Sequence, residues 1–289
     1  MTHGDPVSWR AVARGYLVLP HAVPILVVLT ATTAFALIAA GGWPGFASLI
    51  CLLGAMFGGQ LAIGAVNELV DADLDAAAKP MKPISTGLVS RRGARRVVIA
   101  GVVAMCLFSF RFSWATFTLC SLGTGSGIAY SFWFKRTIWS WIPYLVALPL
   151  LPIWVWSALD GVNTGLFAIY PIGAAAVIAV QIAQSLPDVD ADHNSGVRTL
   201  AVALGSKRAH LVCWAATIAA ALTAAFLAPW LTGHAMRVWL AAVVAVLLVG
   251  VNVLLWRQDL RRGALASFPC IALAAATLGV GWASALVNL

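Results

Sequence analysis

Acidic residues are nearly missing from this chain. Only ten Asp and Glu stand among its 289 residues, charged residues of both signs make up 10%, and hydrophobic residues make up 62%. The mean hydropathy is correspondingly high, +0.93. Such a composition excludes an ordinary water-soluble domain and describes a polytopic membrane protein. Cysteine is sparse as well. Cys51, Cys106, Cys120, Cys213 and Cys270 all fall inside apolar runs without a CxxC pair, so they read as small buried hydrophobes. There is no GxSxG, HExxH or P-loop motif, which leaves hydrolase, zinc-protease and nucleotide-driven chemistry unsupported. A cleavable signal peptide is not expected either, because the first apolar run is too long for a signal h-region and lacks a small-residue cleavage site.

What the chain does have is apolar length. Runs at about 17–40, 45–66, 96–114, 116–134, 138–158, 165–186, 209–230, 238–256 and 265–287 predict about nine transmembrane helices. Helices are expected because backbone groups in lipid must bond within their own segment, and these runs lack the alternation of barrel strands. With the N-terminus placed in the cytoplasm and the helices alternating, sixteen of the eighteen Lys and Arg fall on the cytoplasmic side, leaving Arg111 and Arg237 opposite. That asymmetry accounts for the net charge of +8 without a nucleic-acid partner. Trp43, Trp139, Trp141, Trp230 and Trp256 sit near the predicted span ends, as an interfacial belt requires. The expected fold is therefore an all-α, polytopic membrane bundle forming one domain over residues 1–289.

The few acids are not scattered. Seven of the ten lie in two short segments, 67–75 (NELVDADLD) and 188–192 (DVDAD), each at the cytoplasmic end of an apolar run. A shift of 117 residues lays Asn67 on Gln184, Asp71 on Asp188, Asp73 on Asp190, Asp75 on Asp192 and Arg91 on Arg208, which predicts an internal pseudo-repeat relating 67–75 to 184–192. The first cluster is expected in a long loop at about 67–95, and a loop of that length is usually functional.

Asn67, Asp71 and Asp75 are spaced i, i+4, i+8 and share one face if the helix continues through them, as do Gln184, Asp188 and Asp192. Like charges stacked this way need a counter-cation, more so near the membrane interior. Oxygen-only ligands with open positions suit Mg²⁺, which binds a few carboxylates together with substrate phosphates. Two such faces opposed would hold one or two Mg²⁺ bridging a diphosphate. Lys79, Lys82, Lys135, Arg136 and Arg198 lie beside the clusters and suit the remaining phosphate oxygens, or else simple ion pairs and lipid headgroups. Arg91, Arg92, Arg95 and Arg96 read as a topology anchor. Asp73 and Asp190 point off the metal face. His193 has no second histidine at zinc spacing, and His21 and His210 are expected at the interface.

These residues carry a resemblance. Asn-x-x-x-Asp-x-x-x-Asp after the second run and Asp-x-x-x-Asp after the sixth resemble the signatures of the UbiA-type superfamily of intramembrane prenyltransferases. The segment NELVDADLDAAAKPMKPISTGLVS is similar to its first signature and following basic loop, SLPDVDADHNSGVRTLAVALG to its second, and Tyr130-Ser131 with Lys135-Arg136 to a segment ending its fourth helix. The resemblance implies transfer of an isoprenyl group from a prenyl diphosphate to a small-molecule acceptor within the lipid bilayer of the cell membrane. It further implies Mg²⁺ held by Asn67, Asp71, Asp75, Asp188 and Asp192, with Lys79, Lys82, Lys135, Arg136 and Arg198 on the diphosphate. Tyr130, with Phe132 and Trp133, would face the allyl cation. The sequence departs from the pattern at Glu68, Ser185 and His21, where Asp, Asp and an Arg-Pro pair are usual. The acceptor is expected to be aromatic, quinone-type or lipid. Alternatives are acceptor-free terpene cyclisation, phosphoribosyl transfer to a polyprenyl phosphate, and cation transport. Transport is disfavoured by carboxylates at a helix end rather than the bilayer centre.

Overall fold

A computed structural model describes residues 8–78, 81–162, 164–194 and 196–287, with the side chains of Val23 and 74–78 outside that description. The described residues contain helices and no strand. In chain order the helices are α1 (Trp9–Val18), α2 (Ala22–Ala39), α3 (Phe46–Ala78), α4 (Arg91–Phe110), α5 (Trp114–Ala129), α6 (Ile142–Leu159), α7 (Ile169–Ser185), α8 (Val189–Asn194), α9 (Leu200–Leu204), α10 (Ser206–Leu231), α11 (Ala235–Gln258) and α12 (Leu260–Ala285). Among the described residues seven segments are long and apolar enough to cross a bilayer, against the roughly nine expected. The runs 17–40 and 116–134 fold as the shorter α2 and α5. Pro20 separates α1 from α2, and the end of α5 passes into a five-residue π turn, Tyr130–Phe134, closed by Lys135 N–H donating to Tyr130 C=O at 2.9 Å.

The helices pack in antiparallel neighbours, α3 on α4, α5 on α6, α7 on α10 and α11 on α12, with α12 reaching back to α2. Without a hydrophobic drive between helices in lipid, close packing depends on small residues. Gly58 and Gly101 show this directly: a Cβ on either would stand 2.6 Å from the other's carbonyl oxygen. A shared core joins both halves through Phe35, Trp154, Trp156, Leu278 and Trp282. Outward, Leu240, Val243, Leu247, Val251 and Leu254 leave an exposed apolar stripe along α11, the surface expected of a lipid-facing helix.

Two local features depart from the sequence-based expectation. The first acidic cluster is helical: α3 runs 33 residues to Ala78, about 50 Å at 1.5 Å per residue against roughly 30 Å of hydrocarbon. Residues 67–78 hold neither Gly nor Pro, so nothing stops the helix at the membrane surface. The long loop shrinks accordingly. The second cluster is broken. α7 ends at Ser185, Leu186–Asp188 forms a 3₁₀ turn, and α8 follows. Pro187 supplies no N–H and its ring collides with the preceding turn, so Gln184, Asp188 and Asp192 do not share the face of one regular helix.

Candidate active site

The C-terminal third of α3, the π turn after α5 and the end of α7 lie at the same end of the bundle. Asp71 is their meeting point. It is 5% exposed, so its charge is largely removed from water and needs cations. Lys135 Nζ donates to Asp71 Oδ2 and, at 2.6 Å, to Asn67 Oδ1. Arg136 Nη2 donates to Asp71 Oδ1 at 2.9 Å. The π turn makes this possible: its extra residue sets the register in which two successive cations both reach one carboxylate.

The second cluster arrives from the other side. The Arg198 N–H donates to the Arg136 C=O at 3.2 Å, which stitches the segment after α8 to the end of the π turn. The Val197 N–H donates to the Asp192 C=O at 3.0 Å, which carries the second cluster to the same turn. The Tyr130 and Tyr144 rings meet edge to face at 5.3 Å, and Tyr144 Oη donates to Gln184 Oε1 at 3.1 Å. Tyr130 opens the turn that carries Lys135 and Arg136 to Asp71. Asp188 and Arg198 are solvent-exposed, and Asp192 is partly buried.

Of the expected site residues, the structure brings Asn67, Asp71, Lys135, Arg136, Tyr130 and Asp192 into one region. Lys82 is diverted to Glu68, which accepts from Lys82 Nζ at 2.6 Å. The side chains of Asp75 and Lys79 lie outside the described residues. Phe132 and Trp133 are exposed at 56% and 71%, their rings 5.9 Å apart. Gln184 stands on Tyr144 rather than repeating the role of Asn67. Asp73 is exposed and paired with Arg91, as a residue off the metal face should be. His210, near the start of α10, is buried, with Nδ1 2.8 Å from the Ser206 carbonyl oxygen and its ring beside Trp214 and Trp256.

Sequence reading missed Tyr144, Gln181 and the partners of Glu68. A tyrosine within the otherwise apolar start of α6 and a glutamine three residues before Gln184 were the available signals. Glu68 is 2% exposed, and its Oε1 lies 3.1 Å from His21 Nε2 as well as on Lys82. No group of three or more His, Cys, Asp or Glu among the described residues closes around an ion. The oxygen donors nonetheless fit a hard divalent cation, because Asn67 Oδ1 and Asp71 Oδ2 already converge on one cationic atom, Lys135 Nζ. At the opposite end a separate cleft of about 520 Å³, lined by Trp43, Arg111, Phe112 and Asp160 among others, holds none of these groups.

Known proteins share this architecture. The UbiA prenyltransferase family matches residues 27–270. Digeranylgeranylglyceryl phosphate synthase of Natronomonas pharaonis is 26% identical over 67% of this chain and 69% of its own length. Protoheme IX farnesyltransferase of Deinococcus radiodurans is 29% identical over 59% of this chain and 58% of its own. A UbiA homologue from Archaeoglobus fulgidus, solved bound to GPP and Mg²⁺, superposes with a TM-score of 0.69 at 18% identity, covering 91% of this chain and 99% of that one.

Proposed function

The chain belongs to the UbiA prenyltransferase family, and we propose on that footing that it transfers a prenyl group from an isoprenyl diphosphate to a small aromatic, quinone-type or lipid acceptor. The observation that carries this reading is the buried Asp71 with Asn67, Lys135 and Arg136 around it, and the segment after Asp192 bonded to the Arg136 backbone.

Asn67, Asp71, Asp75, Asp188 and Asp192 would hold Mg²⁺, which when bound neutralises charge on the diphosphate. Each remaining role belongs to a side chain. Lys135 and Arg136 present fixed donors to the phosphate oxygens where negative charge builds as the allylic C–O bond breaks. Arg198 and Lys82 would add positive charge for the diphosphate, as would Lys79, which lies outside the described residues. Tyr130, packed edge to face on Tyr144, would offer the face of its ring to the developing carbocation. Apolar helices around it keep water from intercepting that cation.

The net cationic excess at this end supports a cytoplasmic orientation, with Arg111 and Arg237 on the far side. The 117-residue offset supports one domain made of two related halves, of which the second has lost helical continuity at Pro187.

The test is direct. Purified protein with Mg²⁺ and geranyl, farnesyl or geranylgeranyl diphosphate, with and without acceptors, should release diphosphate and form a prenylated product. Asp71→Asn and Asp188→Asn should lower turnover by about 10²-fold or more, the size of an electrostatic contact made in the transition state. Acceptor-free hydrocarbon or alcohol as the sole product would replace transfer with cyclisation. Absence of diphosphate release from wild type under every condition would end both readings.

A further inference from the structure

We propose that Glu68 is a positioning residue for the prenyl-diphosphate end of the site: its buried carboxylate fastens the His21 corner and Lys82 to α3, so that Lys82 meets the diphosphate already ordered. The proposal rests on the prenyl-transfer reading above.

Glu68 follows Asn67 directly, so on a helix it projects about 100° away from the face that carries Asn67 and Asp71. It points at two other parts of the chain. Lys82 reaches it from the segment between α3 and α4, and His21 from the corner between α1 and α2. Nε2 can carry only one role. The Glu68 carboxylate at 3.1 Å accepts the Nε2–H hydrogen bond, and the Asn67 Nδ2 at 3.5 Å is then a contact rather than a hydrogen bond. One residue on α3 therefore fixes two flanking segments beside the proposed metal face.

The surroundings are built for this. His21 is the one described non-glycine residue with positive φ, at 58°, a conformation that persists only where its neighbours enforce it. What enforces it is one turn below Glu68 on the same face. A Cβ at Gly64 would lie 2.6 Å from the Pro20 carbonyl oxygen, so the Pro20-His21 corner sits in a notch that only glycine leaves open. Beneath Lys82, Val89 is buried with Leu19, Ala65 and Ala94 in a small core of its own, joined by Ile84 and Leu69. The 81–90 segment is closed further by Val89 N–H to Pro83 C=O at 3.0 Å and Thr86 N–H to Lys82 C=O at 2.9 Å.

Free in solution, a lysine side chain loses much rotamer freedom on binding; held by Glu68, it has already lost it. Glutamate also has the length for the task. Aspartate, one methylene shorter, would draw the carboxylate back toward α3 and away from both partners.

The experiment measures binding of a non-hydrolysable farnesyl thiodiphosphate with Mg²⁺, alongside hydrogen exchange of the unliganded protein. Glu68→Gln keeps the volume and should weaken analogue binding by about tenfold, ~1.4 kcal/mol. Exchange should accelerate in 81–90 and at the start of α2, while α10 to α12 stay as in wild type. Lys82→Met should weaken binding alike, and adding Glu68→Gln to it should change the Kd by less than twofold, because both act through one ammonium. Glu68→Asp should fall between Gln and wild type. Asp73→Asn, an exposed carboxylate on the same helix, should bind like wild type. Unchanged analogue affinity in Glu68→Gln overturns the positioning role while leaving prenyl transfer intact. Additive losses in the double variant, or accelerated exchange throughout the bundle, overturn it in favour of plain structural support. Failure of wild type to bind the analogue removes the prenyl-diphosphate reading and this role with it.

Discussion

Replacing Lys135 with methionine tests the site at its centre. Methionine keeps the length of the stem and removes the donors. In wild type, Lys135 Nζ serves both Asn67 Oδ1, at 2.6 Å, and Asp71 Oδ2. Asp71 is 5% exposed, so water cannot take the vacated place fully. Stripping a buried carboxylate of its only counter-charge costs about 3–5 kcal/mol. Here Arg136 stays on Oδ1 at 2.9 Å, and the lysine side chain itself is 28% exposed and regains hydration on unfolding. Roughly half the penalty remains, about 2 kcal/mol. At roughly 2–4 °C per kcal/mol, the thermal midpoint of the metal-free protein in detergent should drop by about 4–8 °C. Arg136→Met should cost less, about 1 kcal/mol or below, because the arginine is 46% exposed and its contribution is screened by solvent. Differential scanning fluorimetry on the tryptophan signal reads both shifts. Millimolar Mg²⁺ should return part of the Lys135→Met loss, since a divalent cation can satisfy the same two oxygens. An unshifted midpoint in Lys135→Met, or a larger shift in Arg136→Met, would refute the reasoning. A loss that Mg²⁺ leaves untouched would refute Asn67 and Asp71 as its ligands.

Other expectations follow from different parts of the molecule. Gly101→Val should destabilise the α3–α4 contact by about 1–3 kcal/mol or abolish folded yield, since its Cβ would meet the Gly58 carbonyl oxygen at 2.6 Å; size-exclusion profiles and thermal midpoints check this. On a cysteine-free background, a membrane-impermeant thiol reagent added outside intact cells should label a cysteine placed at Arg111 and spare one at Arg91; the reverse would invert the proposed orientation. Asp259 caps α12 by accepting the backbone N–H groups of Arg261 and Arg262, and those bonds hold its carboxyl below the usual range. A depressed folded pKa contributes stability above the unfolded value of roughly 3.9 and loses it as pH falls through the folded one. The midpoint of Asp259→Ala should therefore lie below that of wild type at pH 7, and the gap should close in acid.

Much of the site was legible because charge is so rare in this sequence. With ten acids in the chain, Asp71 and Asp192 announce themselves, and the i, i+4 rule correctly puts Asn67 and Asp71 on one oxygen-bearing face. Hydropathy located every long helix, but not its ends. The apolar signal of α3 stops near Val66, whereas helix propensity carries it to Ala78, and only the latter governs where the backbone turns. Pro187 was visible in the sequence and should have outweighed the spacing argument for Gln184, Asp188 and Asp192. The π turn was not legible, since no residue type demands one. With it went the exposure of Phe132 and Trp133, which the resemblance implied would face the allyl cation. The Glu68 partners come from segments distant in sequence, and pairwise spacing within one helix carries no word of them.

The wide turn at Tyr130–Phe134 has a consequence for how this protein can change. The stretch Phe132-Trp133-Phe134-Lys135-Arg136 sets three aromatic residues directly against two cations. Which of them confronts Asp71 is decided by where the helix stands in its rotation, and one residue of an α-helix is worth about 100° of that rotation. A deletion of a single residue here would keep the composition, the hydropathy and nearly the whole depth of the span, and would swap a polar lining for an oily one. The chain thus keeps at this point an adjustable phase, like the offset of a gear tooth. Substitutions elsewhere alter a group; a change of length here alters which groups the chamber contains.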